Sequence, residues 1–299
     1  MPSAEVVPLS LKKSTNGRFM HWLVRTELDL LARISPSLAD RRASALFGTP
    51  PRAGLAPEPG TPGRNAERFT VTSGRHEVAA WAWGEGPVVV LVHGWRGHAA
   101  QLSGFIAPLV RSGFRVVAFD QPAHGRSTGR RTNLLEMAEA LQAVVRAVGP
   151  VHAVVAHSLG ATATALALHD HLPAERVVLL APPAEAPYFA HQMAAVLGLS
   201  PERAAGMLAQ IERDVGVQLE SLDVRRFGSW IRQPALIFHD LGDREVPFAH
   251  GRAIADVWPL ARFVPLQGLG HRRLLGDAGV IHEAVAFLRQ GAERAAALA

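Results

Sequence analysis

A serine at a sharp strand-to-helix turn is the residue of this sequence best suited to nucleophilic chemistry. Ser158 follows the apolar run 151–156, and a segment rich in alanine begins directly after it. The residues two before and two after the serine are Ala156 and Gly160, which are small enough to let the backbone fold back on itself. Such a turn places the hydroxyl at a helix N-terminus, where free amides favour negative charge. The pattern predicts that Ser158 attacks a carbonyl carbon.

This stretch resembles the nucleophile turn of the α/β-hydrolase family, whose usual form is Gly-x-Ser-x-Gly. Ala156 stands at the first position of that pattern. The resemblance covers roughly residues 67–290. It implies an α/β fold with a doubly wound, mostly parallel sheet of eight strands, and serine hydrolase chemistry of the esterase and lipase type.

Two later loops contain an acid and a base that such a nucleophile needs. Asp243 lies after the apolar run 235–238, in a stretch similar to the family's G-x-x-D-x-x-V-P pattern. His271 follows the expected last strand, 262–265, and completes the family order of serine, acid and histidine. The resemblance therefore implies a triad of Ser158, Asp243 and His271, in which the acid orients the histidine that accepts the serine proton.

Three other carboxylates compete with Asp243 for the role of the acid. Asp240 and Glu245 lie within three residues of it, and Glu185 follows an earlier strand. The match to the family's pattern favours Asp243 over all three.

The oxyanion of an acyl-transfer reaction needs two backbone N–H groups directed at it. His93, Gly94 and Trp95 follow directly after the apolar run Val88–Val92, where the family has a turn that supplies one donor. By analogy, the donors are the amides of Trp95 and of Leu159, the residue after the nucleophile.

A second loop, 120–127, resembles the family's D-x-P-G-H-G-x-S stretch, with Ala123 in place of a glycine. The resemblance implies a structural role for this loop near the site. The candidates for a substrate pocket either adjoin these motifs or lie in an apolar segment further along: His93, Gly94, His157, Tyr188 and Phe189.

Short apolar runs alternate with helical patterns along most of the chain. Five runs are apolar on both faces, as is typical of strands buried in a parallel sheet: 87–92, 114–119, 151–156, 176–180 and 235–238. Helical patterns lie at about 99–112, 132–148, 159–171, 248–257 and 277–291. Strands that alternate with helices in this way indicate a doubly wound α/β sheet.

The composition divides the chain into four parts. Residues 1–47 are predicted to form a helical extension, and residues 48–65 a linker rich in proline and glycine. The catalytic domain comprises 66–181 and 232–299, and the helical pattern of 182–231 predicts an inserted cap.

The extension is expected to pack on the catalytic domain or to cover its edge. Its apolar stripe includes Phe19 and Trp22, so a weak membrane-surface contact and a homodimer contact are alternatives. Acidic residues on the polar face favour the packing role over a membrane contact.

Charge and cysteine content exclude several functional classes. The 299 residues have a formal net charge of +5, but arginines are scattered among acidic residues, which argues against nucleic-acid binding. The absence of cysteine excludes disulfides, thiolate catalysis and cysteine-bound metals. There is no run of 18 or more uncharged apolar residues and no recognisable signal peptide, so we expect a cytoplasmic protein.

The residues and the resemblance together predict a hydrolase that cleaves a small-molecule carboxylic ester through an acyl-enzyme on Ser158. The resemblance implies that no metal or organic cofactor takes part. A thioesterase, a C–C bond hydrolase and an acyltransferase are alternatives that would use the same triad. A non-catalytic binding module of the same fold is a further alternative, but such proteins usually lack a member of the triad.

Overall fold

The apolar runs form the strands of one eight-stranded sheet in the computed structural model, which describes residues 15–51, 59 and 66–298. The strands are β1 (Glu67–Ser73), β2 (His76–Trp83), β3 (Val88–Val92), β4 (Arg115–Phe119), β5 (Val151–His157), β6 (Ala174–Leu180), β7 (Ala235–Asp240) and β8 (Ala261–Leu266). Every residue of β3, β5 and β7 is buried. These strands therefore lack the polar face that alternation would give, as expected for central strands covered on both sides.

The strands lie in the order β1-β2-β4-β3-β5-β6-β7-β8. β2 is antiparallel to β1 and β4, and all other neighbours are parallel. The predicted mostly parallel, eight-stranded α/β sheet is confirmed. Because the carboxyl ends of parallel strands meet at one edge, the loops after β3, β4, β5, β7 and β8 all lie along that edge.

The helices are α1 (Thr15–Ile34), α2 (Pro36–Phe47), α3 (Ser103–Arg111), α4 (Leu134–Val148), α5 (Leu159–His169), α6 (Ala186–Leu197), α7 (Pro201–Val215), α8 (Val224–Phe227), α9 (Phe248–Val257), α10 (Gly270–Arg273) and α11 (Ala278–Leu298). Residues 160–168 of helix α5 are all buried, and apart from Thr162 and Thr164 they are alanine, leucine or glycine. The serine turn therefore leads into the interior of the molecule, where surrounding atoms hold its backbone in place.

The described chain divides into two compact units. One contains the sheet and comprises Pro50–Ala184 and Val224–Ala299, and the other comprises Met1–Thr49 and Glu185–Asp223. In the second unit the Ser44 hydroxyl of α2 donates to Asp214 of α7 at 2.6 Å. Helices from the predicted extension and from the predicted cap thus belong to one unit.

The division into extension, linker, catalytic domain and cap stays a prediction. Most of the predicted linker, residues 52–58 and 60–65, lies outside the described residues, as does the side chain of Phe19. Trp22 is 58% exposed, but the membrane and dimer contacts suggested for it also stay predictions. None of the helices in the described part of the chain is both long enough and apolar enough to span a membrane.

Candidate active site

The turn between β5 and α5 holds Ser158 in a strained backbone conformation. Ser158 has φ +53° and ψ −129°, a region that costs a non-glycine residue about 1–3 kcal/mol. Its amide donates to the Leu180 carbonyl at 2.9 Å, which joins the turn to the end of β6. A Cβ at Gly160 would lie 2.4 Å from the His93 carbonyl oxygen, and a Cβ at Gly94 would lie 2.8 Å from Ser158 Cβ. The loop after β3 therefore packs against the serine turn at a distance that only glycine permits.

The structure brings the three residues of the predicted triad together. His271 Nε2 lies 3.0 Å from Ser158 Oγ, and His271 Nδ1 lies 2.7 Å from Asp243 Oδ2. All three residues are buried. An ionised carboxylate only accepts hydrogen bonds, so Nδ1 holds the proton and Nε2 is left to accept one from the hydroxyl. This arrangement suits a serine nucleophile with a histidine base.

The turn after β7 holds both carboxylate oxygens of Asp243. Oδ1 accepts hydrogen bonds from the amides of Glu245 at 2.8 Å and Val246 at 3.0 Å. Oδ2 faces His271 and also lies 3.5 Å from Nε2 of the buried His239. Burial alone would raise the pKa of Asp243, but the hydrogen bonds from His239 and His271 outweigh it and hold the pKa well below its usual range. Asp243 is therefore ionised at neutral pH.

His239 is absent from the predicted site residues. Its ring donates from Nε2 to the Val246 carbonyl at 2.9 Å. This bond joins β7 to the turn that contains Asp243. The available sequence signal is its place near the end of a fully buried strand, four residues before Asp243. A polar side chain at such a position needs a buried partner.

The competing carboxylates make other contacts. Asp240 is fully buried and accepts hydrogen bonds from two backbone amides. Glu245 forms a two-pronged ion pair with Arg272, at 2.8 and 2.9 Å. Glu185 lies just before α6, in the unit that does not contain the sheet. Of the four carboxylates, that of Asp243 is the one hydrogen-bonded to His271.

His93 organises the loop in which one oxyanion donor is predicted. Its Nε2 accepts from the Gln121 amide at 2.9 Å, so the proton is on Nδ1, which donates to the Gly94 carbonyl at 2.7 Å. Complete burial lowers the pKa of His93 to about 4. Backbone groups occupy both ring nitrogens, so neither nitrogen of His93 is available to a ligand. The role predicted for His93 in a substrate pocket stays a prediction.

His124 supports the same loop from the turn after β4. Its Nδ1 donates to the Pro122 carbonyl at 2.9 Å, and its Nε2 accepts from the Arg96 amide at 3.1 Å. The ring also contacts the Trp95 indole edge to face, with centroids 5.2 Å apart. Together with the bond from His93 to the Gly94 carbonyl, the bond to Arg96 holds the backbone on both sides of the Trp95 amide. The second predicted donor, Leu159, is the first residue of α5, and the first amides of a helix have no acceptor within it.

His157 lies against the histidine of the triad. Its Nε2 donates to the His271 carbonyl at 2.9 Å, and the two ring centroids are 4.7 Å apart. Burial and the neighbouring His271 lower the pKa of His157 to about 3, so the ring is neutral. The remaining pocket candidates, Tyr188 and Phe189, lie on α6 in the other unit, where their rings meet edge to face at 5.4 Å. The pocket roles of all these residues stay predictions.

Acidification should destabilise the folded protein between about pH 6.5 and 4. In the unfolded chain, His93 and His157 become protonated near pH 6.5. In the folded protein, His93 stays neutral down to about pH 4 and His157 down to about pH 3. The unfolded state therefore binds up to two more protons, and the free energy of unfolding should fall by up to about 2.7 kcal/mol per pH unit. Above pH 6.5 both states hold neutral rings, so these two residues add no slope there.

Urea unfolding at half-unit pH steps measures this slope. His157→Gln keeps an amide donor for the His271 carbonyl but does not titrate, so it should remove about half of the slope. An unchanged slope in that variant would show that other groups cause the acid lability.

Comparisons with known proteins agree with this fold. Residues 87–235 match the family model described as the alpha/beta hydrolase fold. An esterase of Pyrococcus furiosus has a similar structure, with a TM-score of 0.61 and 19% identity, over 82% of this chain and 97% of that one. An esterase of Exiguobacterium antarcticum is similar with a TM-score of 0.59 and 17% identity, over 74% of this chain and 98% of that one. At such identities the likeness shows the fold alone.

A curated relative matches a short segment more closely. The pimeloyl-[acyl-carrier protein] methyl ester esterase of Methylococcus capsulatus is 50% identical over 44 residues. That segment is 15% of this chain and only 17% of the relative. The family match, together with the mostly parallel α/β sheet, shows that the chain belongs to the α/β-hydrolase fold family.

Proposed function

We propose that the protein hydrolyses carboxylic esters through an acyl-enzyme on Ser158, with His271 as general base and Asp243 as the acid that orients it. The observation that supports this most is the continuous line of hydrogen bonds, 3.0 Å from Ser158 to His271 and 2.7 Å from His271 to Asp243. The strained serine turn adds support, because an unfavourable φ persists only where the surrounding structure holds it.

The reaction begins when His271 Nε2 accepts the Ser158 proton as Oγ attacks the ester carbonyl carbon. Asp243 keeps Nδ1–H in place and stabilises the imidazolium that forms. Nε2 then protonates the leaving alcohol, and the acyl group stays on Ser158. A water molecule that loses its proton to His271 attacks this acyl-enzyme, and His271 returns that proton to Ser158 Oγ as the bond to the acyl group breaks and the acid is released.

The amides of Trp95 and Leu159 are proposed to stabilise the oxyanion of each tetrahedral intermediate. Backbone amides held by packing need no reorganisation when the charge develops, and removal of one such donor costs about 100- to 1000-fold in rate. The short distances between Gly94, Gly160 and the serine turn support this assignment, since they bring the two loops together.

The names of similar proteins favour an ester as the substrate. Two proteins of the same fold are esterases, and the short similar segment belongs to a methyl ester esterase. Thioester hydrolysis and acyl transfer would use the same three residues and differ in the leaving group or the acceptor. Activity measurements on matched substrates separate these reactions.

A fluorophosphonate probe tests the nucleophile. The folded protein should be labelled once, at Ser158, and Ser158→Ala should not be labelled, because the probe reacts only with an activated hydroxyl. Ser73→Ala is a matched control, since Ser73 is also a buried serine but lies in β1. It should be labelled like the wild type. A folded wild-type protein that stays unlabelled would favour the non-catalytic binding module.

A panel of an ester, a thioester and an amide with the same acyl chain tests the substrate class. We expect the highest kcat/KM with the ester, and a loss of about 1000-fold or more in Ser158→Ala. A higher kcat/KM for the thioester would replace the esterase proposal with a thioesterase.

A further inference from the structure

The turn that contains His271 includes two glycines, which restrict the backbone angles less than other residues do. Gly268 and Gly270 flank Leu269 with φ angles of +86° and +63°. A Cβ at either glycine would meet no atom within 4 Å, so packing does not require glycine there and the backbone angles do. A turn with two such glycines has many accessible conformations, and one conformation must be selected for His271 to face both of its partners.

A buried carboxylate joins this turn to the turn of the acid from the interior, and the ion pair between Arg272 and Glu245 joins the same two turns at the surface. Asp240 Oδ2 accepts from the Leu269 amide at 2.7 Å, between the two glycines, and Oδ1 accepts from the Gly242 amide at 2.8 Å, next to Asp243. Asp240 is fully buried at the end of β7. Backbone amides form short hydrogen bonds to carboxylate oxygens, which suits a group that has to hold two loops.

These contacts give Asp240 a role other than that of a substitute acid. Both of its oxygens are used by backbone amides, while Asp243 Oδ2 receives the proton-bearing nitrogen of His271.

We propose that Asp240 is a positioning residue that fixes the histidine turn relative to the acid turn and thereby sets the 2.7 Å contact between His271 and Asp243. This inference rests on the proposed function of the Ser158, His271 and Asp243 triad. Displacement of a catalytic group by about 1 Å costs on the order of 100-fold in rate, so a residue that never touches substrate has a large effect on kcat.

Asp240→Asn tests the proposal with little change in shape. The amide side chain offers one acceptor oxygen, and its NH₂ group then faces a backbone N–H, so one of the two turns is released. We expect kcat for ester hydrolysis to fall by about 10- to 100-fold, with KM within about 3-fold, because ground-state binding is unaffected. Asp277→Asn is the matched control, since Asp277 Oδ1 accepts from the Val280 amide at 3.0 Å and only caps α11. It should keep wild-type kcat.

The same substitution in a His271→Ala background separates positioning from general damage. If Asp240 acts through His271, Asp240→Asn should change the residual activity of His271→Ala by less than about 2-fold. An equal loss in both backgrounds would overturn the proposal, because the effect would then not pass through the histidine.

A readout without substrate keeps the proposal testable if the esterase proposal fails. The Nδ1 proton of His271 is hydrogen-bonded to Asp243, and its NMR signal is assigned by its loss in His271→Gln. Asp240→Asn should broaden this signal and speed exchange of the proton with water, whereas Asp277→Asn should not. A sharp, wild-type signal in Asp240→Asn would contradict the positioning role, whatever the protein catalyses.

If Asp240→Asn does not fold, the contact is removed from its other side. An amide-to-ester exchange at Leu269, with the α-hydroxy acid of leucine in its place, removes the N–H donor and keeps both the side chain and the Asp240 carboxylate. Leu269→Ala keeps the donor and loses the side chain. We expect the ester variant to lose about 10-fold more kcat than Leu269→Ala and to broaden the His271 proton signal; equal values in the two variants would overturn the proposal.

Discussion

Asp243→Asn should lower kcat for ester hydrolysis by about 10,000-fold while the protein stays folded. The asparagine oxygen continues to accept the amides of Glu245 and Val246, so the turn is kept. Its NH₂ group then faces His271 Nδ1, where the carboxylate oxygen lies 2.7 Å away in the native protein. A donor at this position requires Nδ1 to be the acceptor, which moves the imidazole proton to Nε2. In that tautomer His271 cannot accept the Ser158 proton.

Steady-state kinetics with an activated ester, together with a thermal unfolding curve, measure both parts of this expectation. Glu245→Gln is the matched control, because Glu245 lies two residues away and pairs with Arg272 at the surface. It should lose less than about 10-fold, as exposed ion pairs contribute little. A loss of less than 10-fold in Asp243→Asn would show that another group orients the histidine.

Gly160→Ala should damage both stability and catalysis, although alanine is the better helix former by about 1 kcal/mol. The added Cβ would lie 2.4 Å from the His93 carbonyl oxygen and 3.1 Å from a methyl of Val92. The first of these atoms is backbone, so the loop after β3 or the start of α5 must move. We expect a loss of about 2 kcal/mol or more in the free energy of unfolding, and a loss of about 100-fold or more in kcat because Trp95 and Leu159 lie in the two displaced segments.

Gly276→Ala is the matched control for this substitution. A Cβ at Gly276 meets no atom within 4 Å, and the residue has no positive φ. Its unfolding midpoint and kcat should therefore remain close to the wild-type values. Wild-type kcat in a folded Gly160→Ala protein would show that neither segment supplies an oxyanion donor.

The sequence was sufficient to predict the sheet because its strands are unusually uniform. Runs such as Val88–Val92 contain no polar residue, and every residue of that strand is buried in the structure. The serine turn was also predictable, because the small residues Ala156 and Gly160 stand at fixed positions on either side of Ser158. The structure adds that a Cβ at Gly160 is excluded by the His93 carbonyl of a distant loop, which the sequence does not indicate.

The supporting groups of the site were not predictable in the same way. Asp240 and Leu269 are 29 residues apart, and the bond between a carboxylate and a backbone amide leaves no mark on the identity of the donor residue. His239 is similar, because its acceptor is the Val246 carbonyl. Which nitrogen of His93 or His124 holds the proton also follows from backbone partners in distant loops. Hydrogen bonds between a side chain and a distant backbone group therefore cannot be predicted from residue types and spacing.

The unit formed by Met1–Thr49 and Glu185–Asp223 has a consequence for synthesis of the chain. Helix α2 contacts α7 through Ser44 and Asp214, which are 170 residues apart. At about 5–20 residues per second, the ribosome produces the second partner on the order of ten seconds after the first. During that interval α2, whose buried face includes Ala39 and Ala43, lacks its contact with α7. Substitutions on this face should therefore change the yield of folded protein more than the activity of each molecule that folds.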